Sequence, residues 1–156
     1  MVKRILYTLI IIIAFSGFSQ EEIQSPLLSV KDIHSNNWQV YKDVQDFKIE
    51  YKFEACDFDS GLDEELLLLK ITNKTEGNLG IDWFIHLYYG EDCSTCDFPA
   101  EYLRAINLKP NEIIEGDCSM DNNHPLRIFY KFVDPKFANK SKALNKFKLS
   151  NLTFSL

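Results

Sequence analysis

Apolar and polar side chains alternate along several segments of this chain, a pattern typical of β-strands with one buried face. Between residues 47 and 55 every second side chain is apolar or aromatic, and each one between them is charged. This alternation predicts a strand that ends near Cys56. The next segment, residues 65–73, contains an unbroken apolar run from Leu66 to Leu69, which indicates a strand covered on both faces.

A third alternating segment, residues 79–89, has two faces of different chemistry. One face carries six apolar or aromatic side chains: Leu79, Ile81, Trp83, Ile85, Leu87 and Tyr89. The other face includes Phe84, His86 and Tyr88. If this second face is open to solvent, these three residues form an apolar patch that would be a possible partner surface. We expect the second sheet of the fold to cover it.

Shorter patterns predict the remaining strands. They lie at residues 27–30, 38–41, 102–108, 112–117, 126–133 and 146–156. Residues 135–145 have room for one turn of helix. Seven to nine short strands separated by polar turns predict an all-β fold, an antiparallel two-sheet sandwich.

The first 19 residues have no strand pattern. Lys3 and Arg4 precede an apolar run that is 14 residues long from Ile5 to Phe18, shorter than the roughly 20 residues of a membrane-spanning helix. Gly17 and Ser19 are small, as signal peptidase requires before its cut. We therefore expect residues 1–19 to be a cleaved signal peptide and residues 20–156 to be one exported domain, periplasmic or secreted, without stable membrane insertion.

The charge of the expected mature chain argues against nucleic-acid binding. Loss of Lys3 and Arg4 reduces the basic residues from 17 to 15 against 23 acidic ones, a formal net charge of −8. Such a protein repels polyanions unless it has a local basic patch. The only lysine-rich stretch, residues 136–148, has no arginine and no interleaved pattern of aromatics, which favours a solvated connection.

The four cysteines predict two disulfides, since exported thiols tend to pair. We favour Cys56–Cys118 with Cys93–Cys96, because the first two each follow a predicted strand and the other two share a short loop. Pairing of Cys56 with Cys93 or Cys96, and of Cys118 with the remaining cysteine, stays open. If successive strands alternate in direction, all four cysteines lie at one end of the sandwich.

The cysteines also allow two other kinds of site. Together they could form a tetrahedral zinc site, although Cys56 and Cys118 lack the paired spacing of Cys93 and Cys96. Alternatively, Cys93 and Cys96 could be a redox-active pair. Their neighbours, Glu91, Asp92 and Asp97, are acidic and disfavour the thiolate that such chemistry needs.

An acidic loop after Cys56 is a candidate calcium site. Asp57, Asp59 and Asp63 supply carboxylates at alternate positions, as in loops that wrap a hard cation. The loop departs from the EF-hand pattern, because Leu62 replaces the glycine of the sixth position and Leu68 replaces the glutamate of the twelfth. A solvated acidic loop is the simpler interpretation.

Catalytic motifs are not evident. The three histidines, His34, His86 and His124, are not accompanied by a nucleophile or metalloprotease signature. We expect surface or packing roles for them, no enzymatic activity and no cofactor.

In its strand count and its Leu108-Lys109-Pro110 turn, the mature chain resembles the immunoglobulin-like and fibronectin-III-like modules of exported bacterial proteins. The resemblance implies the sandwich architecture and no particular site residue. We expect an exported, disulfide-stabilised module of the cell envelope that binds a partner or has a structural role, or alternatively a module that binds calcium or zinc.

Overall fold

The computed structural model describes residues 23–57, 63–119, 125–139 and 141–156. Nine strands form two antiparallel sheets in these ranges. The all-β, two-sheet fold class predicted from the alternation is therefore confirmed. The expected signal peptide, residues 1–19, lies outside the described residues.

One sheet has four strands and the other has five. The four-stranded sheet contains β1 (Leu28–Ser29), β5 (Leu79–Tyr88), β6 (Leu103–Leu108) and β9 (Lys146–Ser155), in the order β1-β9-β5-β6. The five-stranded sheet contains β2 (Gln39–Asp43), β3 (Phe47–Cys56), β4 (Glu64–Asn73), β7 (Ile113–Glu115) and β8 (Arg127–Phe132), in the order β2-β3-β4-β7, with β8 also paired to β4.

Two single-turn helices accompany the sheets. α2 (Pro135–Ala138) is the turn of helix expected in that region, and the Asp134 side chain accepts a hydrogen bond from the backbone N–H of Lys136 at its start. α1 (Val30–Ile33) was not predicted. The expected strand at residues 27–30 is shorter than the pattern indicated, because the chain turns into α1 after only two paired residues.

The core lies between the inner faces of the two sheets. Phe47, Ile49 and Phe53 from β3 are at most 1 % exposed, as the alternation predicts. Trp83 from β5 is fully buried in the same cluster. Aromatic side chains pack across the two layers, for example Tyr51 on Phe147, whose ring centroids are 5.9 Å apart.

The outer face of β4 is covered as well, by a second small cluster. Leu66 and Leu68 are buried there beneath Cys56, with Trp38, Cys118 and Phe129 packed against them. This cover explains the unbroken leucine run, because side chains on both faces of β4 lie in apolar surroundings.

The strands β7 and β8 occupy successive parts of the same edge of β4. Ile113–Glu115 pairs with residues 70–72, and Arg127–Phe132 pairs with residues 64–68. Between them, Gly116 N–H donates to Leu69 O and Leu69 N–H donates to Leu126 O, at 2.8 and 2.9 Å. The chain therefore leaves the sheet after Gly116 and returns at Leu126. The predicted strand at residues 112–117 is shorter than expected for this reason.

Strand directions define the two ends of the sandwich. At one end, buried Asn73 donates from Nδ2 to Gly77 O and Lys109 O, which joins the β4–β5 turn to the chain that follows β6. At the other end, β3 finishes at Cys56 opposite Glu64, and β5 finishes at Tyr88. We call this second end the cysteine end, because Cys93 and Cys96 follow β5 there.

Candidate functional site

Two disulfides lie at the cysteine end. Cys56 is bonded to Cys118 and Cys93 to Cys96, with Cα–Cα distances of 5.5 and 5.6 Å. This is the pairing that we favoured from the sequence. The reason given for Cys118 was partly wrong, because β7 ends at Glu115 and Cys118 lies in the excursion that leaves the sheet after Gly116.

Thr95 positions the loop that carries the second disulfide. β6 pairs with β5 only as far as Phe84, so the end of β5 lacks a partner strand on that edge. The hydroxyl of Thr95 accepts from Leu87 N–H at 3.0 Å and donates to Ile85 O at 2.7 Å. Thr95 is only 3 % exposed. Its side chain therefore supplies hydrogen bonds that a strand would otherwise provide.

His86 lies beside the Cys93–Cys96 disulfide. One ring nitrogen of His86 and the Sγ atoms of Cys93 and Cys96 all lie within 4.8 Å of one another, and all three residues are half-buried. Nε2 of His86 is 3.0 Å from Oγ of Ser150 on β9. Desolvation and the positive charge of Lys148 lower the pKa of His86, which favours neutral imidazole.

The position of His86 beside Cys93 and Cys96 bears on the four-cysteine zinc site considered from the sequence. In the part of the chain that the structure describes, His86, Cys93 and Cys96 are the one His/Cys/Asp/Glu group close enough to hold a metal ion. Cys56 and Cys118 do not belong to it. The four-cysteine zinc site considered from the sequence is therefore wrong in composition, although the Cys93–Cys96 half of it has a nearby nitrogen ligand.

The outer face of the four-stranded sheet carries the possible partner surface. Phe84, His86 and Tyr88 are each half-buried there. The expectation that the second sheet covers them is wrong, because that sheet packs on the opposite face of β5, which carries Trp83 and Ile85. Leu103 lies directly opposite Phe84 on β6 and is 46 % exposed.

Two carboxylates of the calcium candidate come together. The negative charges of Asp57 and Asp134 both lie close enough to Asp63 to repel its carboxylate. Desolvation, together with Asp57 and Asp134, raises the pKa of Asp63. A cavity of about 180 Å³ next to Cys56 is lined by both Asp57 and Asp63. Asp59 lies outside the described residues.

A further titratable cluster was missed by the sequence interpretation. His34 Nε2 is 2.6 Å from Glu65 Oε1, and Lys131 Nζ is 3.0 Å from Glu65 Oε2. The His34 ring also stacks near Phe53, with centroids 4.6 Å apart. No local pattern indicates this contact, because residues 34 and 65 meet only in the folded chain. His124 lies outside the described residues.

Among the described residues, neither helix has the length and apolar character needed to cross a membrane. Comparison of the chain with protein-family models, curated proteins and solved structures found no match.

Proposed function

We propose that this protein is an exported, single-domain β-sandwich of the immunoglobulin-like kind that binds a protein or other ligand of the cell envelope and catalyses no reaction. The observation that carries the binding role is the outer face of the four-stranded sheet. Phe84 and Tyr88 belong to neither hydrophobic cluster, and the exposed Leu103 extends their surface to β6, which lies at the end of the strand order in that sheet.

Apolar side chains in this arrangement favour a binding role because burying them releases free energy. At about 25 cal/mol per Å² of apolar area, covering a few such side chains contributes several kcal/mol to association. Phe98, 54 % exposed, is a further exposed aromatic side chain in the loop that leads to β6.

Site-specific photo-crosslinking in living cells tests the partner surface. A photoreactive side chain at Leu103 is compared with one at Ile113, an apolar residue on β7 that is 57 % exposed. We expect a discrete crosslinked product from position 103 and none from position 113. Equal products from both positions, or none from position 103, would contradict the binding role of this face.

The export part of the proposal rests on the pattern of residues 1–19 and on the two disulfides, which fit an oxidising compartment. Intact mass and cell fractionation test it. We expect an exported protein that begins at Gln20 and reacts with an alkylating agent only after reduction. A cytosolic chain that retains residues 1–19 would refute it.

Calcium binding at Asp57, Asp59 and Asp63 is a second candidate, favoured by the cavity that Asp57 and Asp63 both line and by the raised pKa of Asp63. A cation would relieve the repulsion between these carboxylates. We expect Ca²⁺ to raise the melting temperature of the native protein but not that of Asp63→Asn, with Asp82→Asn as the control. An unchanged melting temperature of the native protein would exclude this candidate.

A further inference from the structure

We propose that reduction of the Cys93–Cys96 disulfide converts His86, Cys93 and Cys96 into a zinc site with three protein ligands. The three ligand atoms already lie within 4.8 Å of one another. Tetrahedral coordination with Zn–S bonds of about 2.3 Å places two sulfurs about 3.8 Å apart, so the two sulfurs must separate after reduction of the disulfide. The proposal shares His86 with the possible partner surface, but it does not rest on the partner-binding or calcium proposals.

The loop holds its position without the disulfide. Thr95 lies between the two cysteines and is hydrogen-bonded through its hydroxyl to Ile85 O and Leu87 N–H. Ser94 N–H also donates to Leu87 O at 2.7 Å. These three bonds connect the loop to the edge of β5 whether the cysteines are oxidised or reduced, so that both thiols stay beside His86.

Ser150 engages one of the two ring nitrogens of His86. Nε2 of His86 contacts the hydroxyl of Ser150, which leaves Nδ1 as the nitrogen that we assign to the metal. A hydrogen bond to the second ring nitrogen is the usual way in which proteins orient a ligating histidine. Neutral imidazole is the form that coordinates zinc.

The chemistry requires an external reductant, and a dithiol is the class that we propose for the cell. The dithiol transfers two electrons and two protons to the Cys93–Cys96 disulfide, which becomes two thiols while the dithiol becomes a disulfide. Zn²⁺ then displaces both thiol protons to solvent. Two thiolates and one neutral nitrogen balance the charge of the ion, and a water molecule occupies the fourth position.

Zinc binding by the full mature protein tests the proposal. Equilibrium dialysis measures Zn²⁺ before and after reduction with a phosphine, and alkylation with mass spectrometry reports which cysteines are reduced. We expect one Zn²⁺ per chain in the reduced protein and none in the oxidised protein. Cobalt substituted for zinc should give a thiolate-to-cobalt charge-transfer band.

Variants then distinguish this site from other thiol groups. Cys93→Ser with Cys96→Ser should abolish binding, whereas Cys56→Ala with Cys118→Ala should retain it. His86→Ala should weaken binding at least about tenfold. The matched control, Asp82→Asn, changes an exposed residue on the same strand and should leave the affinity unchanged.

Three results of the binding measurements would overturn the zinc site. They are equal affinity in His86→Ala and the native protein, zinc retained after loss of Cys93 and Cys96, and a reduced protein that binds no zinc. Circular dichroism accompanies each measurement. A reduced chain that remains unfolded with zinc present also overturns the proposal, because the three ligands come together only in the folded sandwich.

Discussion

At the residue scale, single side chains complete hydrogen bonding that the strands leave unfinished. Thr95 is the clearest case, because its buried hydroxyl satisfies one N–H and one carbonyl of β5. Buried peptide groups without partners are costly. A change at Thr95 should therefore alter the free energy of unfolding more than a change at its exposed neighbours in the loop.

Replacement of Thr95 by Val therefore should destabilise the protein. Valine keeps the shape but leaves Leu87 N–H and Ile85 O without their partner, at a cost of about 2 kcal/mol in the free energy of unfolding. Thr95→Ser retains the hydroxyl and should lose less than half of that amount. Urea unfolding measures both variants, and equal losses would contradict the dominant role of the hydroxyl hydrogen bonds.

Glu50 is a second residue whose surroundings matter, because they determine its pKa. It is buried on the outer face of β3, with Lys48 Nζ 2.8 Å from Oε1 and Lys70 Nζ 3.0 Å from Oε2. Desolvation raises its pKa, but the hydrogen bonds and charges of the two lysines outweigh that effect, and the net pKa is lowered. Lys70 also lies over the Trp38 ring, 4.5 Å from its centroid.

This arrangement predicts a dependence of stability on pH. Because the pKa of Glu50 is lower in the folded protein than its usual value of 4.5, its contribution is fully present at neutral pH. That contribution disappears as the pH falls through the lowered folded pKa. The difference in unfolding free energy between native protein and Glu50→Gln should therefore be largest at pH 7 and shrink in acid.

Glu54→Gln is the control for that experiment. Glu54 lies on the same strand and pairs with Lys52, but its side chain is far more exposed than that of Glu50. It should show a much smaller effect at neutral pH. A difference for Glu50→Gln that is the same at pH 7 and in acid would show that packing, not charge, explains its effect.

At the element scale, the interruption between β7 and β8 decides where Cys118 lies. Gly116 and Leu126 both hydrogen-bond with Leu69, so the two strands would be continuous without the residues between them. The excursion places Cys118 over the outer face of β4, where the disulfide to Cys56 covers Leu66 and Leu68.

The excursion requires a glycine at the point where the chain leaves the sheet. A Cβ atom added to Gly116 would lie 2.5 Å from the backbone oxygen of Leu126. Gly116→Ala should therefore separate β7 from β8 and cost about 1–3 kcal/mol of stability. Urea unfolding measures the loss.

Gly77→Ala is the matched control, because its added Cβ would meet nothing closer than Thr75 Oγ1 at 4.0 Å. That variant should be close to neutral. Equal stabilities of the two variants would contradict the close approach of Gly116 to Leu126.

At the scale of the whole molecule, the two disulfides constrain very different lengths of chain. Cys56 and Cys118 are 62 residues apart, whereas Cys93 and Cys96 are separated by three. In the chain-entropy description, the longer loop contributes about 4 kcal/mol to stability and the shorter one about 2 kcal/mol. The first bond therefore accounts for more of the stability of the fold.

Thermal unfolding of paired alanine variants checks this difference. Cys56→Ala with Cys118→Ala should lower the melting temperature more than Cys93→Ala with Cys96→Ala. The first pair also removes packing over Leu66 and Leu68, which acts in the same direction. A larger loss from the second pair would mean that the Cys93–Cys96 loop has a structural role beyond the one described.

The sequence by itself determined the strands and the faces that they bury. The alternation from Phe47 to Ala55 and the leucine run of β4 reappear as β3 and β4. Two positions of β3 depart from the expected burial, because Glu50 is buried and Ala55 is exposed. Prediction of the strands was possible because the two-residue period of a strand is local, and burial of one face follows from it. The favoured cysteine pairing followed from the predicted strand ends, although Cys118 does not directly follow β7.

Only the tertiary structure decided which side chains meet across the sheets. His86 beside Cys93 and Cys96, His34 against Glu65, and Gly116 against Leu126 join residues whose spacing carries no periodic signal. It also decided that the second sheet packs on the Trp83 face of β5 and not on the Phe84 face. The physical reason is that alternation specifies two faces of a strand, whereas the packing of whole layers selects which neighbours each face contacts.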